Sequence, residues 1–143
     1  MSASASGEWT EAEKSAMKER AEELRAEKGG KKRADALEDL MAKIQDMPEP
    51  DRLLAQQVHS LVMAAAPELE PRTWYGMPAY AKDGKVLCFF QAASKFESRY
   101  CTFGFQDVAA LDDGAMWPTS FALTAVGPAE QEAITRLVRR ACG

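Results

Sequence analysis

The stretch Trp74-Tyr75-Gly76-Met77-Pro78-Ala79-Tyr80 decides the fold, because it opens a run of short strands that follows a series of helices. Its aromatic pair leads into a Gly/Pro break, which predicts a bend between two strands. Asp83-Gly84 then separates two apolar runs. Asp-Gly in this setting indicates a two-residue β-hairpin turn, since both positions need positive φ. A β core therefore begins in this stretch.

Four or five short strands are predicted downstream of residue 72. They cover residues 73–75, 79–82, 85–91, 100–105 and 121–125. The run Val86-Leu87-Cys88-Phe89-Phe90 is apolar on both faces, which is typical of a central strand. Strands that are grouped in sequence and joined by short turns favour an antiparallel sheet.

Helices are predicted before and after the strands. Leu37, Leu40, Met41 and Ile44 follow the spacing of one helical face. A stronger stripe follows Pro50, and it contains Leu53, Leu54, Val58, Leu61, Val62 and Ala65. Pro128 opens a last helix, with an apolar face formed by Ile134, Leu137, Val138 and Ala141. These stripes are expected to cover the sheet.

The first helix is unusual. Thr10 and Glu13 form a capping box, which predicts a helix from about residue 11 to Lys28, ending at Gly29-Gly30. Most of its apolar residues are alanines, so its apolar stripe is thin. Because buried apolar stripes provide most helical stability, we expect this helix to pack weakly on the domain or to extend as a charged arm.

These elements predict the α+β class. We expect an antiparallel sheet of four to six strands with N-terminal and C-terminal helices packed on one face, plus an N-terminal helical extension. Residues 1–9 are predicted to be disordered, residues 10–30 to form the helical arm, and residues 31–143 to form a single domain.

Composition excludes several classes of protein. The 143 residues suit one domain, and the hydrophobic (46%) and charged (28%) fractions are ordinary for a soluble protein. A net charge of −4 argues against nucleic-acid and anionic-membrane partners. The three cysteines, at positions 88, 101 and 142, do not have the spacing of a disulfide framework. The absence of a signal-like apolar N-terminus and of a long apolar run predicts a cytoplasmic protein.

Familiar catalytic motifs are missing from the sequence. His59 is the only histidine, which argues against a histidine zinc site, and Gly-x-Ser-x-Gly, Gly-x-Gly-x-x-Gly and Walker patterns do not occur. We interpret His59 as a structural or solvated residue. Since no nucleophile–base pair is visible, an enzymatic function is the least supported interpretation.

An anion pocket is one candidate site. Lys95 lies in the connection at residues 92–97, and Arg99 lies at the start of the strand that follows it. Tyr75 and Tyr80 are predicted near the same end of the sheet. Two cations beside two aromatic rings could bind a small anionic ligand. The alternative is that Lys95 and Arg99 lie on the surface of a hairpin and bind no ligand, and that the tyrosines are half-buried sheet residues.

A metal site is the other candidate. Glu38, Asp39 and Asp46 lie along the second predicted helix, and hard cations need clustered oxygen ligands. An open iron or calcium site there is one interpretation. A solvated acidic face is the alternative.

The strand region also resembles a known family. Its quoted residues are Pro67-Glu68, Tyr75-Gly76-Met77-Pro78-Ala79-Tyr80, Gly84-Lys85, Phe89-Phe90 and Lys95. Together they are similar to the YdhG-like family of bacterial domains of unknown function, over roughly residues 36–142. The resemblance implies a frataxin-like α+β sandwich. It also implies an intracellular iron chaperone that passes iron to an acceptor protein.

Three functional hypotheses follow. The protein is a small binding or carrier protein, such as an iron chaperone that uses Glu38, Asp39 and Asp46. Alternatively, it binds a small anionic metabolite at Tyr75, Tyr80, Lys95 and Arg99. The third hypothesis is a protein-interaction domain that docks through its N-terminal helix.

Overall fold

A computed structural model describes residues 9–28 and 33–143 of the chain. The predicted disorder of the N-terminus and the predicted helix stop at Gly29-Gly30 therefore lie almost entirely outside the described residues. In the described part, the helices are α1 (Glu11–Lys28), α2 (Arg33–Gln45), α3 (Glu49–Ala65) and α4 (Pro128–Ala141). The strands are β1 (Glu70–Trp74), β2 (Met77–Lys82), β3 (Lys85–Gln91), β4 (Cys101–Phe105) and β5 (Ser120–Leu123), with a 3-10 helix at Ala93–Phe96.

The five strands form one sheet in the order β1-β2-β3-β4-β5, and each strand is antiparallel to its neighbours. This confirms the predicted α+β class and antiparallel sheet. The Asp83-Gly84 turn is also confirmed, since Lys82 pairs with Lys85 and the turn residues have φ of 51° and 80°.

The structure confirms the predicted bend between two strands and corrects the expected burial of two helix residues. The bend is a two-residue turn at Tyr75-Gly76, and Met77 already belongs to β2, since it pairs with Trp74. Residues 107–111, between β4 and β5, are turn and irregular backbone, and the N–H of Ala110 donates to the carbonyl of Ala141, at 2.9 Å. Leu37 and Leu53, both expected on buried stripes, are 38% and 50% exposed.

One face of the sheet packs against α2, α3 and α4 and forms the main core. Its helical members include Leu40, Ile44, Val58, Val62, Ile134 and Val138. Its strand members include Tyr80, Leu87, Cys88, Phe90, Phe103 and Phe105. A register shift between Tyr80 and Ala81 lets the consecutive residues Leu87 and Cys88 both reach this core.

The opposite face carries a smaller cluster. Met77, Ala79 and Phe89 are buried there, with Trp74 and Val86 packed at the edge. Phe89 is paired across the strands with Gly104, and its ring lies over that glycine. A Cβ atom at position 104 would come within 2.4 Å of Phe89 Cζ, so the ring requires glycine beneath it.

The single histidine belongs to the fold. His59 on α3 is half-buried, and its Nδ1 lies 2.9 Å from the hydroxyl oxygen of the fully buried Tyr80. Burial lowers the pKa of His59 and raises the pKa of Tyr80. This placement supports the structural interpretation of His59.

Replacing Gly104 by alanine should destabilise the protein by about 1–3 kcal/mol, because the new methyl group displaces the Phe89 ring. Urea unfolding of Gly104→Ala, Phe89→Leu and the double variant measures this effect. In the Phe89→Leu background the alanine should cost distinctly less. Equal costs in both backgrounds would show that the ring does not impose the glycine.

His59 should make the fold sensitive to mild acid. Its pKa in the folded protein lies below the ordinary value of 6.5, so the unfolded chain takes up the proton first as pH falls through 6.5. The melting temperature of the wild type should therefore fall between pH 7 and pH 5. His59→Gln should flatten that slope, and an unchanged slope contradicts the assignment. Glu19 and Asp51 have lowered pKa values and titrate below this window.

Candidate functional site

The site is built around the turn between β1 and β2. Tyr75 and Gly76 both lie in the left-handed region, with φ of 52° and 76°, as a two-residue hairpin of the I′ kind requires. The N–H groups of the two loop residues point away from the strand ladder. Both donate to the carboxylate of Glu23 on α1, each at 2.9 Å. Successive N–H groups in such a turn form a concave site for an anion.

Tyr75 is a costly residue at this position. A bulky residue with positive φ is uncommon, and such strain is concentrated at functional sites. Ring contacts offset part of the cost: the Tyr75 ring meets the Trp74 ring edge-on at 5.1 Å, and the guanidinium of Arg20 lies 5.8 Å from its centroid. The contacts of Trp74 and Arg20 with the Tyr75 ring thus stabilise the conformation of the turn.

Two lysines supply positive charge beside the turn. Lys43, in the last turn of α2, donates to one carboxylate oxygen of Glu19, and Lys95, in the 3-10 helix, donates to the other. Both distances are 2.8 Å. Glu19 thereby links three separate elements of the fold. We call the N–H groups of Tyr75 and Gly76 together with the ammonium groups of Lys43 and Lys95 the anion site.

The ion pairs of the anion site shift pKa values in opposite directions. Partial burial alone would raise the pKa of Glu19, but the hydrogen bonds and charges of Lys43 and Lys95 outweigh it, so the pKa is lowered. The hydrogen bond from Lys43 to Glu19 raises the pKa of Lys43. Glu19 and Lys43 are therefore both charged at neutral pH, and the contact between them is a charge-assisted hydrogen bond.

A buried carboxylate positions Lys95. Asp51, in the first turn of α3, is only 7% exposed and accepts hydrogen bonds from the N–H of Ser94 at 3.1 Å and from the thiol of Cys101 at 3.4 Å. Burial would raise the pKa of Asp51, but the hydrogen bonds from Ser94 and Cys101 lower it. Asp51 therefore anchors the 3-10 helix to α3, and Lys95 follows Ser94 directly.

The anion site leaves no spare room at Gly76. A Cβ atom on this residue would come within 2.2 Å of Glu19 Oε2 and 2.6 Å of Lys95 Nζ. Glycine therefore suits this position because of its positive φ, and a larger residue would also displace the flexible ends of Glu19 and Lys95.

The structure brings two of the four predicted anion-binding residues together. Tyr75 and Lys95 both belong to the region of the turn. Tyr80 instead lies inside the main core beside His59. Arg99 is exposed, its guanidinium lies 5.2 Å from the Tyr100 ring centroid, and it joins none of the hydrogen bonds around Lys95.

Three further residues contribute to the site although no sequence pattern predicted them: Lys43, Glu19 and Glu23. One signal could have found the glutamates. They lie four residues apart, on the same face of α1 as the buried Ala16, at the positions where an amphipathic helix normally carries apolar residues.

The acidic residues proposed as iron ligands, Glu38, Asp39 and Asp46, are exposed on α2 and just after it. Within the described part of the chain, no three His, Cys, Asp or Glu side chains are placed to hold a metal ion. The prediction of a metal site therefore gains no geometric support.

The thiols are not activated. Burial raises the pKa of Cys88 far above its usual value, and burial raises that of Cys101 to about 11. Both thiols stay protonated at neutral pH, so neither is a ready nucleophile.

A second concavity of about 550 Å³ lies between α3 and the start of α4. It is lined by Leu53, Gln56, Gln57, Ser60, Leu61, Val126 and Gln131. All of these side chains are uncharged, so the concavity lacks the convergent charges that distinguish the anion site.

Comparisons with known proteins identify no relative: no protein-family model, curated protein or solved structure matches this chain. The resemblance to YdhG-like domains stays a prediction. Among the helices of the described residues, none is long and apolar enough to cross a membrane.

Two glycines with similar backbones allow a matched test of the site. Gly76→Ala and Gly84→Ala both introduce a side chain at a φ near 80°, which costs about 1 kcal/mol in each case. Only the alanine at position 76 meets other atoms, since nothing lies within 4 Å of a Cβ at position 84. Gly76→Ala should therefore cost roughly 0.2–1 kcal/mol more in urea unfolding, because the displaced ion pairs are partly exposed.

Hydrogen exchange gives the second measurement for this pair. Gly76→Ala should accelerate amide exchange throughout α1, because Glu19 is displaced from its lysines, whereas Gly84→Ala should leave α1 unchanged. Equal stabilities and equal exchange rates in the two variants would show that Glu19 does not contribute to the site.

Proposed function

We propose that this protein is a small binding protein whose anion site holds a carboxylate or phosphate group of its ligand. One observation carries the proposal: two side-chain carboxylates of the chain already accept four hydrogen bonds from Lys43, Lys95 and the Tyr75-Gly76 turn. Tyr75 and Lys95, two of the residues first predicted to bind an anion, remain in this proposal. Gly76 and Lys43 replace Tyr80 and Arg99.

The chemistry of the donors supports carboxylate or phosphate as the bound group. Two backbone N–H groups and two ammonium groups offer donors without any acceptor among them, so a group with several anionic oxygens matches them best. A cation would face two positive charges. The iron-carrier hypothesis lacks a comparable arrangement of ligands in the described residues.

Neutralising the glutamates that fill the site provides the test. The full-length variant Glu19→Gln/Glu23→Gln removes two negative charges and leaves Lys43 and Lys95 in place. Titration of this variant with inorganic phosphate or citrate, at constant ionic strength, should shift the amide NMR signals of Tyr75 and Gly76. Adding Lys95→Gln should weaken binding by about tenfold or more, because a charge-assisted hydrogen bond is lost.

The Asp83-Gly84 turn is an internal control in the same spectra. It has a similar backbone and is flanked by Lys82 and Lys85, so it reports non-specific attraction of anions. Shifts that are equal at both turns, or that survive Lys95→Gln unchanged, would reject the proposal. So would the absence of any shift at 10 mM phosphate or citrate, a concentration roughly ten times the Kd that about 4 kcal/mol of binding free energy would give.

A further inference from the structure

The helix that fills the anion site is held mainly by polar contacts. Ala16 is the one buried residue among the α1 side chains described, at positions 11–25, whereas Met17 and Leu24 are 38% and 43% exposed. Glu19, Arg20 and Glu23 make the contacts to the rest of the fold. Ion pairs that are partly exposed contribute little net stability, so another ligand with the same groups can replace α1.

The contacts define what such a ligand looks like. Glu19 and Glu23 are separated by four residues, which places them on one face of the helix about 6 Å apart along its axis. Ala16 precedes them on that face and lets the helix approach closely, and Arg20 adds a contact with the Tyr75 ring. A helix that reproduces these contacts has the pattern small-x-x-acidic-basic-x-x-acidic.

We infer that the anion site is a docking site for an acidic helix of a partner protein, and that α1 is its intramolecular competitor. This inference rests on the proposed function, since it names the ligand of the same site. It also joins the binding and interaction hypotheses: the partner's helix takes the place of α1 and brings two carboxylates to Lys43, Lys95 and the turn.

A partner of different sequence is favoured over a second copy of this chain. The α1 of a second copy would make the same contacts as the resident α1 but would lack its high effective concentration, which is on the order of millimolar for a covalently linked segment. A helix of another protein displaces α1 if its additional contacts outweigh the high effective concentration of α1. Docking of the partner then releases α1 from Lys43 and Lys95.

A peptide of residues 9–28 tests the inference against full-length protein. The probe is this peptide with a fluorescent label, and its anisotropy is measured with wild type and with Glu19→Gln/Glu23→Gln protein. The variant should bind the peptide at least about tenfold more tightly than wild type, because its own α1 no longer competes. Lys43→Gln/Lys95→Gln in the variant background should abolish binding.

Matched peptides separate recognition from charge. Glu19→Gln/Glu23→Gln in the peptide should abolish binding to the variant protein. Glu11→Gln/Glu22→Gln removes the same charge from two exposed positions and should leave binding intact. If both altered peptides bind equally, the site does not recognise the spacing of Glu19 and Glu23, and the inference is wrong.

The remaining outcomes distinguish this inference from the proposed function. Binding of phosphate or citrate without binding of the peptide at 1 mM would leave an anion site and overturn the docking of a helix. Equal peptide affinities of wild type and variant would show that α1 is not a competitor. Dimerisation of the wild type that is lost in Glu19→Gln/Glu23→Gln would make a second copy the occupant and overturn the assignment of a separate partner.

Discussion

The Tyr75-Gly76 turn imposes the constraint on which the rest of the site depends. A two-residue hairpin satisfies the strand ladder up to Trp74 and Met77 but leaves the two loop N–H groups facing outward. An anion at this position satisfies both groups, and Glu23 provides one. The ion pairs of Glu19 lie beside the same turn, since Glu19 and Lys95 both approach Gly76 closely.

The core of the domain sets the position of the site through a short chain of contacts. Asp51 lies in the first turn of α3, and it accepts a hydrogen bond from Ser94 of the 3-10 helix. Val58 and Val62 of the same helix are buried against the sheet. Lys95 is therefore fixed by the same packing that fixes the sheet. Lys43 is fixed in the same manner, because its neighbour Ile44 is fully buried. The cations sit on rigid elements, whereas the helix that meets them is attached by polar contacts.

Sequence patterns were sufficient for the fold and insufficient for half of the site. The alternation of Cys101, Phe103 and Phe105, the Asp83-Gly84 turn and the stripe of Val58 and Val62 obey the periodicities of strands and helices, and burial agrees with them. Tyr80 was misplaced because alternation alone does not say which face of the sheet the helices cover. Lys43 and Glu19 were missed because their pairing spans 24 residues and depends on how α1 and α2 cross, which local patterns do not encode.

Charge explains why such a site suits a ligand presented in a defined geometry. The chain carries a net charge of −4, so it does not draw anions from a distance, and screening in physiological salt limits the reach of two lysines to about 8 Å. If the proposed site binds anions, it discriminates among them at hydrogen-bond range, where the direction of the Tyr75 and Gly76 N–H groups matters more than charge alone. A diffusing anion must pay the full entropy of being ordered, whereas a helix delivers two carboxylates at a fixed spacing. The geometry of the turn thus favours ligands whose anionic groups are already held in place.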